Sequence, residues 1–108
     1  MILSTKDHNQ NYIGQTMNLG RRLNEHNSGY GAVFTNQICY RPWFLFAYVV
    51  GFDKDTMKMK RFEHRWQQAR NRVVFRGEKD PKRLALIANA IIEEIDAELR
   101  LIVMFKDV

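Results

Sequence analysis

A chain of 108 residues and 12.8 kDa has room for one domain, since domains take about 50–250 residues, and an apolar content of 45% with 12% aromatics excludes a disordered tail. The longest strongly apolar run, Trp43–Phe52, falls well short of the roughly 20 residues of a membrane span, and "MILSTKDHNQ" turns polar too soon for a secretory leader. The expectation is a soluble intracellular protein, cytoplasmic or nuclear, with no membrane partner. One cysteine, Cys39, excludes an internal disulfide and a cysteine-rich zinc cluster. The net charge of +5 is unevenly spread: residues 54–83 hold eleven basic against four acidic groups, whereas residues 84–108 are net negative. A block at +7 attracts a polyanion through an interaction that salt weakens, although a solvated lysine-rich helix face has the same composition.

Residues 1–4 ("MILS") read as a strand and "KDHNQN" as a turn, because Asp7, Asn9 and Asn11 suit Asx-turn geometry. "YIGQT" then returns as a second strand of a hairpin, with Gly14 marking a bulge or a close approach to the backbone. Thr16 or Asn18 can cap a helix in which Leu19, Leu23 and His26 recur at helical spacing and which Gly29 stops. Gly20 weakens its middle by roughly 1 kcal/mol relative to Ala. "GYGAVFTNQICYRP" is a long polar-aromatic connection, of a length that is often functional. Trp43–Phe52 reads as one continuous, buried central strand. A helix starts at Asp53 or Asp55 and carries a core stripe of Met59, Phe62, Trp66 and Ala69, with Lys58, Arg61, Arg65 and Arg72 mostly outside it. Asp80–Pro81 starts another, by a capping acceptor followed by a preset φ, and helical spacing runs from Leu84 to Ile95. "LRLIVMF" (Leu99–Phe105) is apolar enough to continue the helix or to form a strand, and either to cap the core or to meet a second copy in a homodimer.

Four side chains stand out for chemistry. Arg22 and His26, four apart, share one helix face; the first offers a planar fork for phosphate and the second exchanges a proton near neutral pH. Tyr12, on the preceding strand, lies within reach of the start of that helix. Glu63 is a lone acid among Arg61, His64 and Arg65, beside the buried Phe62. A carboxylate in a basic cleft suits magnesium, which commonly takes one or two protein carboxylates and keeps several waters. The plainer alternatives are a surface pairing of Glu63 with its arginines, exposed helix positions for Arg22 and His26, and a half-buried strand aromatic for Tyr12. His8 and His64 have no ligand spacing with another His or Cys and receive no role.

Taken in order, "NYIGQT", "LGRRLNEHNSG", "GAVFT", "RPWFLFAYVVGF" and "FEHRWQ", from Asn11 to Gln68, resemble the GIY-YIG nuclease domain, most closely its small single-domain branch and the Slx-type structure-specific nucleases. The resemblance implies metal-dependent hydrolysis of DNA phosphodiester bonds, without a small-molecule cofactor, on DNA chosen by shape (branches, flaps or nicks) in repair or recombination. Position by position, it implies Tyr12 near the attacking water, Gly14 for close packing of the turn, and Arg22 on the scissile phosphate with Arg21 a lesser candidate. It likewise implies His26 beside the nucleophile and Glu63 as the one carboxylate holding magnesium or manganese, with Thr35, Pro42, Trp43 and Gln67 architectural. Glu63, Arg22 and Tyr12 should then share one pocket. The first half-motif departs: "MILST" offers no counterpart to its tyrosine, and a single cysteine cannot build the family's zinc-binding companion domain. A DNA-binding protein with weak or lost catalysis is therefore the rival reading. The expected fold is α/β, a small and mainly antiparallel three-stranded sheet flanked by helices, forming a single domain over residues 1–108 with 84–108 as a C-terminal extension.

Overall fold

Strand pairing begins with the first residues. In the computed structural model, which describes residues 1–104, strand β1 (Ile2–Ser4) lies between β2 (Asn11–Tyr12) and β3 (Trp43–Leu45) in a three-stranded antiparallel sheet. Ile2 stands opposite both Tyr12 and Leu45, and Leu3 opposite Asn11 and Phe44. The β1–β2 turn closes on local side chains: Ser4 Oγ accepts from the N–H groups of Lys6 and Asp7, and Asp7 Oδ1 from that of Asn9. Strand β2 is shorter than its sequence suggests. Ile13 turns into the core, and its carbonyl is taken by the Gln67 side chain instead of a neighbouring strand.

The run Trp43–Phe52 is not one central strand. It divides at Phe46 into β3 and β4 (Ala47–Val50), which belong to different sheets, and β1 takes the centre. The cause is a two-against-one contact: the Met1 carbonyl accepts from both Phe46 N–H (3.0 Å) and Ala47 N–H (3.2 Å), the arrangement of a β-bulge, which bends a strand and raises its twist. Beyond the bend, β4 pairs antiparallel with β5 (Arg100–Val103), and Met104 N–H donates to the Phe46 carbonyl. The C-terminal apolar segment is thus a strand. Leu99 is buried, and Leu101 and Val103 pack against the core; Phe105 lies outside the described residues.

Helix α1 (Leu19–Ser28) is capped by Asn18, whose side chain accepts from Arg21 N–H, and ends on Gly29 at φ 86°, a left-handed conformation that glycine adopts freely. Two short 3-10 turns, Phe34–Asn36 and Ile38–Tyr40, carry the chain to β3. Asp55 caps α2 (Thr56–Phe75), which buries Met59, Phe62 and Trp66. Asp80 caps α3 (Pro81–Leu86), with Pro81 in its first turn. A turn at Ile87 divides the expected Leu84–Ile95 helix into α3 and α4 (Ala88–Ile95). Phe62 and Trp66 of α2 meet Leu3 and Ile13 from the first hairpin, Phe46 from the bend, and Leu84, Ala88, Ile91 and Leu99 from the C-terminal third in one core. No helix among the described residues is long and apolar enough to cross a membrane.

Candidate active site

The capped α1 presents Arg22 and His26 one turn apart. His26 is buried, and its Nδ1 lies 2.6 Å from Thr35 Oγ1. That hydroxyl has a single proton and donates it to the Ala32 carbonyl (3.0 Å), so it accepts from the imidazole Nδ1–H. In that arrangement the free lone pair of an uncharged ring lies on Nε2. Burial, and then the charge of Arg22, hold the imidazole below its ordinary pKa against the opposing pull of Glu25. Gly31 makes this contact sterically feasible: a Cβ there would lie 2.8 Å from both His26 Cα and Thr35 Oγ1. Asn27, on the next helical position, clamps β3 by accepting from Trp43 N–H (2.6 Å) and donating to the Trp43 carbonyl (3.0 Å). The Trp43 indole in turn donates to the Thr35 carbonyl (3.1 Å), which locks helix, connection and strand together.

Tyr12 stands beside the histidine, with ring centroids 5.1 Å apart and planes inclined by 58°. Its ring also explains Gly14, because a Cβ at that position would lie 2.8 Å from Tyr12 Cε1. Tyr12, Arg22 and His26 line one cavity, which Leu23 and Leu45 complete. Glu63 does not open into that cavity; it lines an adjoining one with Tyr48, Phe52 and Phe62. Met1, Gly14, Gln15, Thr16 and Leu19 form a wall common to both. Glu63 and the Tyr12–Arg22–His26 group thus line adjoining cavities that meet along the segment after Tyr12, whose Gly14, Gln15 and Thr16 belong to both. Arg22 is partly exposed, with Glu25 at 3.4 Å, while Arg21 is exposed.

Glu63 is half-buried on α2 and is oriented by amides. Gln67 Nε2–H donates to its Oε1 (3.2 Å) and to the Ile13 carbonyl (2.6 Å), and the Gln15 side chain also hydrogen-bonds the carboxylate. Burial pushes the carboxyl above its usual pKa, opposed by those two amides and by the charges of His64 and Lys60. The surface pairing with arginines considered above does not occur: among the described residues Glu63 makes no ion pair, whereas Arg65 is engaged by Glu94 and Lys58 by Asp96. The carboxylate also borders an open groove with Lys60, Arg61 and His64. No group of three or more His, Cys, Asp and Glu that could cage a metal exists among the described residues. A single half-buried carboxylate with no ion-pair partner among the described residues fits magnesium or manganese, whose other ligands are water and substrate phosphate, and does not fit a zinc or calcium cage.

Thr35, expected to be architectural, contacts the histidine; the clamp by Asn27 and the bond from Gln15 to the carboxylate were not expected. Gln67, expected to be architectural, hydrogen-bonds the Glu63 carboxylate, and its i, i+4 spacing from Glu63 places amide beside carboxylate on a helix. Gln15 has no comparable signature.

Residues 1–79 match the family model of the GIY-YIG catalytic domain. Among curated proteins, the structure-specific endonuclease subunit SLX1 of Podospora anserina is 42% identical over 62 residues, covering 56% of this chain and 18% of that protein. The chain thus spans less than a fifth of the length of this relative. No solved structure matches it. Tyr12, Arg22, His26 and Glu63 all fall inside the matched span, and on that match the chain belongs to the GIY-YIG family.

Proposed function

We propose that the chain is a metal-dependent DNA endonuclease that hydrolyses phosphodiester bonds and selects DNA by shape, at branches, flaps or nicks, in repair or recombination. The observation that carries this reading is a half-buried Glu63, with no ion pair among the described residues, lining a cavity that adjoins one holding a guanidinium, an imidazole and a phenol. Glu63 would hold the divalent ion, magnesium or manganese, with Gln15 and Gln67 fixing the orientation of its carboxylate. Such an ion, when bound, polarises the scissile phosphate and stabilises the leaving 3′-oxygen. Arg22, whose contact to Glu25 is long at 3.4 Å, turns its fork to the phosphate oxygens and offsets the charge that grows on them. His26 Nε2 takes the proton of the attacking water, and Thr35 keeps the opposite nitrogen protonated so that this lone pair stays available. The Tyr12 hydroxyl orients the water beside the imidazole. Lys60 and Arg61, flanking Glu63, supply backbone contacts that carry no sequence information, which suits recognition by shape. The shared core of hairpin, α2 and C-terminal third supports a single domain.

A second reading, DNA binding with weak or absent cleavage, is favoured by one observation: the segment Met1–Ser4, which pairs with β2 and β3, carries no tyrosine. One experiment separates the two. Labelled branched and linear DNA is incubated with the protein and magnesium or manganese. Nicks that disappear in chelator, in Glu63→Gln and in Arg22→Ala support the nuclease. Salt-sensitive binding without cleavage, even in manganese, supports the second reading and refutes the first.

A further inference from the structure

Tyr12 lines another cavity besides the one it shares with Arg22 and His26. This cavity has a volume of about 310 Å³, within the range of about 300–1,000 Å³ common for ligand clefts, and its walls include Asn9, Asn11, Phe34, Arg70 and Asn71. Arg70 is its one charged lining residue among those described. The side chain is half-buried, and among the described residues it makes no ion pair. It donates instead from Nη1 to Asn11 Oδ1 (2.9 Å) and from Nε to Asn71 Oδ1 (3.0 Å). A guanidinium can only donate, so it draws both amide oxygens toward itself and leaves both amide NH₂ groups free to donate outward. None of the lining residues is acidic. The cavity therefore offers hydrogen-bond donors around a desolvated cation, with the Phe34 ring as a flat apolar wall. That combination suits the phosphate of a nucleotide whose base or sugar rests on an aromatic face.

We propose that this cavity binds a second phosphate of the DNA strand, on the other side of Tyr12 from the scissile phosphate at Arg22, with Arg70 and Asn71 as its donors. The identity of the ligand as DNA rests on the nuclease reading above. Because Tyr12 forms a wall of both cavities, a strand held at both sites passes over the phenol, and the spacing of the two anchors helps to set which phosphate faces Arg22. The competing role is a strut: Arg70 ties α2 to β2 through Asn11 and binds nothing.

Asn71→Asp separates the two. It places a carboxylate against Arg70 at an exposed helix position, which preserves or strengthens a strut and fills an anion site. Asn89→Asp, on the exposed face of α4, carries the same charge change away from the cavity. Binding of a fluorescein-labelled flap duplex is followed by anisotropy in chelator across a salt series. The expected result is a Kd raised about tenfold in Asn71→Asp near 0.1 M salt, with the slope of log K against log salt reduced by about one and Asn89→Asp close to wild type. Arg70→Gln should show the same loss. Equal affinities for Asn71→Asp and Asn89→Asp overturn the proposal. So does a wild-type cavity that binds deoxyadenosine monophosphate or inorganic phosphate, lost in Asn71→Asp, while DNA affinity stays unchanged. Cleavage in magnesium is read separately on the same proteins. A wild type that shows the Asn71→Asp effect but never cuts refutes the nuclease and leaves the second phosphate site standing. A wild type that cuts, with Asn71→Asp binding like Asn89→Asp, does the reverse.

Discussion

Thr35→Val takes one oxygen from the middle of the site and leaves the side chain's volume nearly unchanged, so it creates neither a cavity nor a clash. Thr35 is fully buried, and its hydroxyl serves two partners: it accepts from His26 Nδ1–H at 2.6 Å and donates to the Ala32 carbonyl at 3.0 Å. The carbonyl keeps a second donor, Asn36 N–H, at 3.1 Å. The imidazole nitrogen does not, because among the described residues it has no other hydrogen-bond partner. A buried polar group stripped of its partner costs about 1–3 kcal/mol. For a domain of this size each kcal/mol lowers Tm by about 4–8 °C, so a cost near 2 kcal/mol corresponds to a fall of about 8–16 °C by calorimetry or thermal circular dichroism. Moving the proton to Nε2 spares the ring nothing, since Nδ1 is then an unpaired lone pair and Nε2 no longer accepts a proton. DNA cleavage should fall with stability, and Thr35→Ser, which restores the hydroxyl, should recover both apart from the loss of one buried methyl. A Thr35→Val protein within about 0.5 kcal/mol of wild type, or one cutting DNA at the wild-type rate, refutes the tautomer argument.

Two other outcomes follow from the charges at the site. Burial raises the Glu63 pKa, so the ionised carboxylate is a liability to the folded state at neutral pH; Glu63→Gln should be at least as stable as wild type in chelator. In the wild type an ion at ten times its Kd adds about 1.4 kcal/mol, and this thermal shift should vanish in Glu63→Gln; an equal shift in both proteins rules out Glu63 as the metal's carboxylate. His26 has a folded pKa below its ordinary 6.5, so as pH falls past 6.5 the unfolded chain takes up the proton first. Its contribution to stability is complete above that pH and drains away as the pH drops toward the folded value, by at most about 1.4 kcal/mol per pH unit for one proton. Urea midpoints between pH 5 and 8 should therefore fall more steeply on acidification in wild type than in His26→Gln; parallel profiles contradict a buried neutral imidazole.

Much of the architecture was written in neighbouring residues. Asn18, Asp55 and Asp80 each cap a helix by accepting an N–H two or three positions on, Gly29 ends one by adopting positive φ, and Met59, Phe62 and Trp66 repeat at the spacing of a buried helix face. Such interactions span a single turn, so their partners can be read from spacing alone. The candidate site was legible as a set of residues for another reason, an ordered series of motifs from Asn11 to Gln68 within the matched family span. Their arrangement was not. The bend at Phe46 depends on the Met1 carbonyl, the strand at Arg100–Val103 on an edge offered by β4, the bridge from Gln67 to Ile13 on residues 54 apart, and the anchoring of Arg70 to Asn11 on residues 59 apart. Contacts of that kind leave no periodic trace, because whether a donor meets a distant acceptor is decided by how helices and strands pack. Composition and spacing thus determined where helices start and stop, and the ordered motifs singled out the candidate side chains. Only the packed chain decided that Glu63 and Arg22 line adjoining cavities with residues in common, and that Tyr12 lines two cavities, one with Arg22 and one with Arg70.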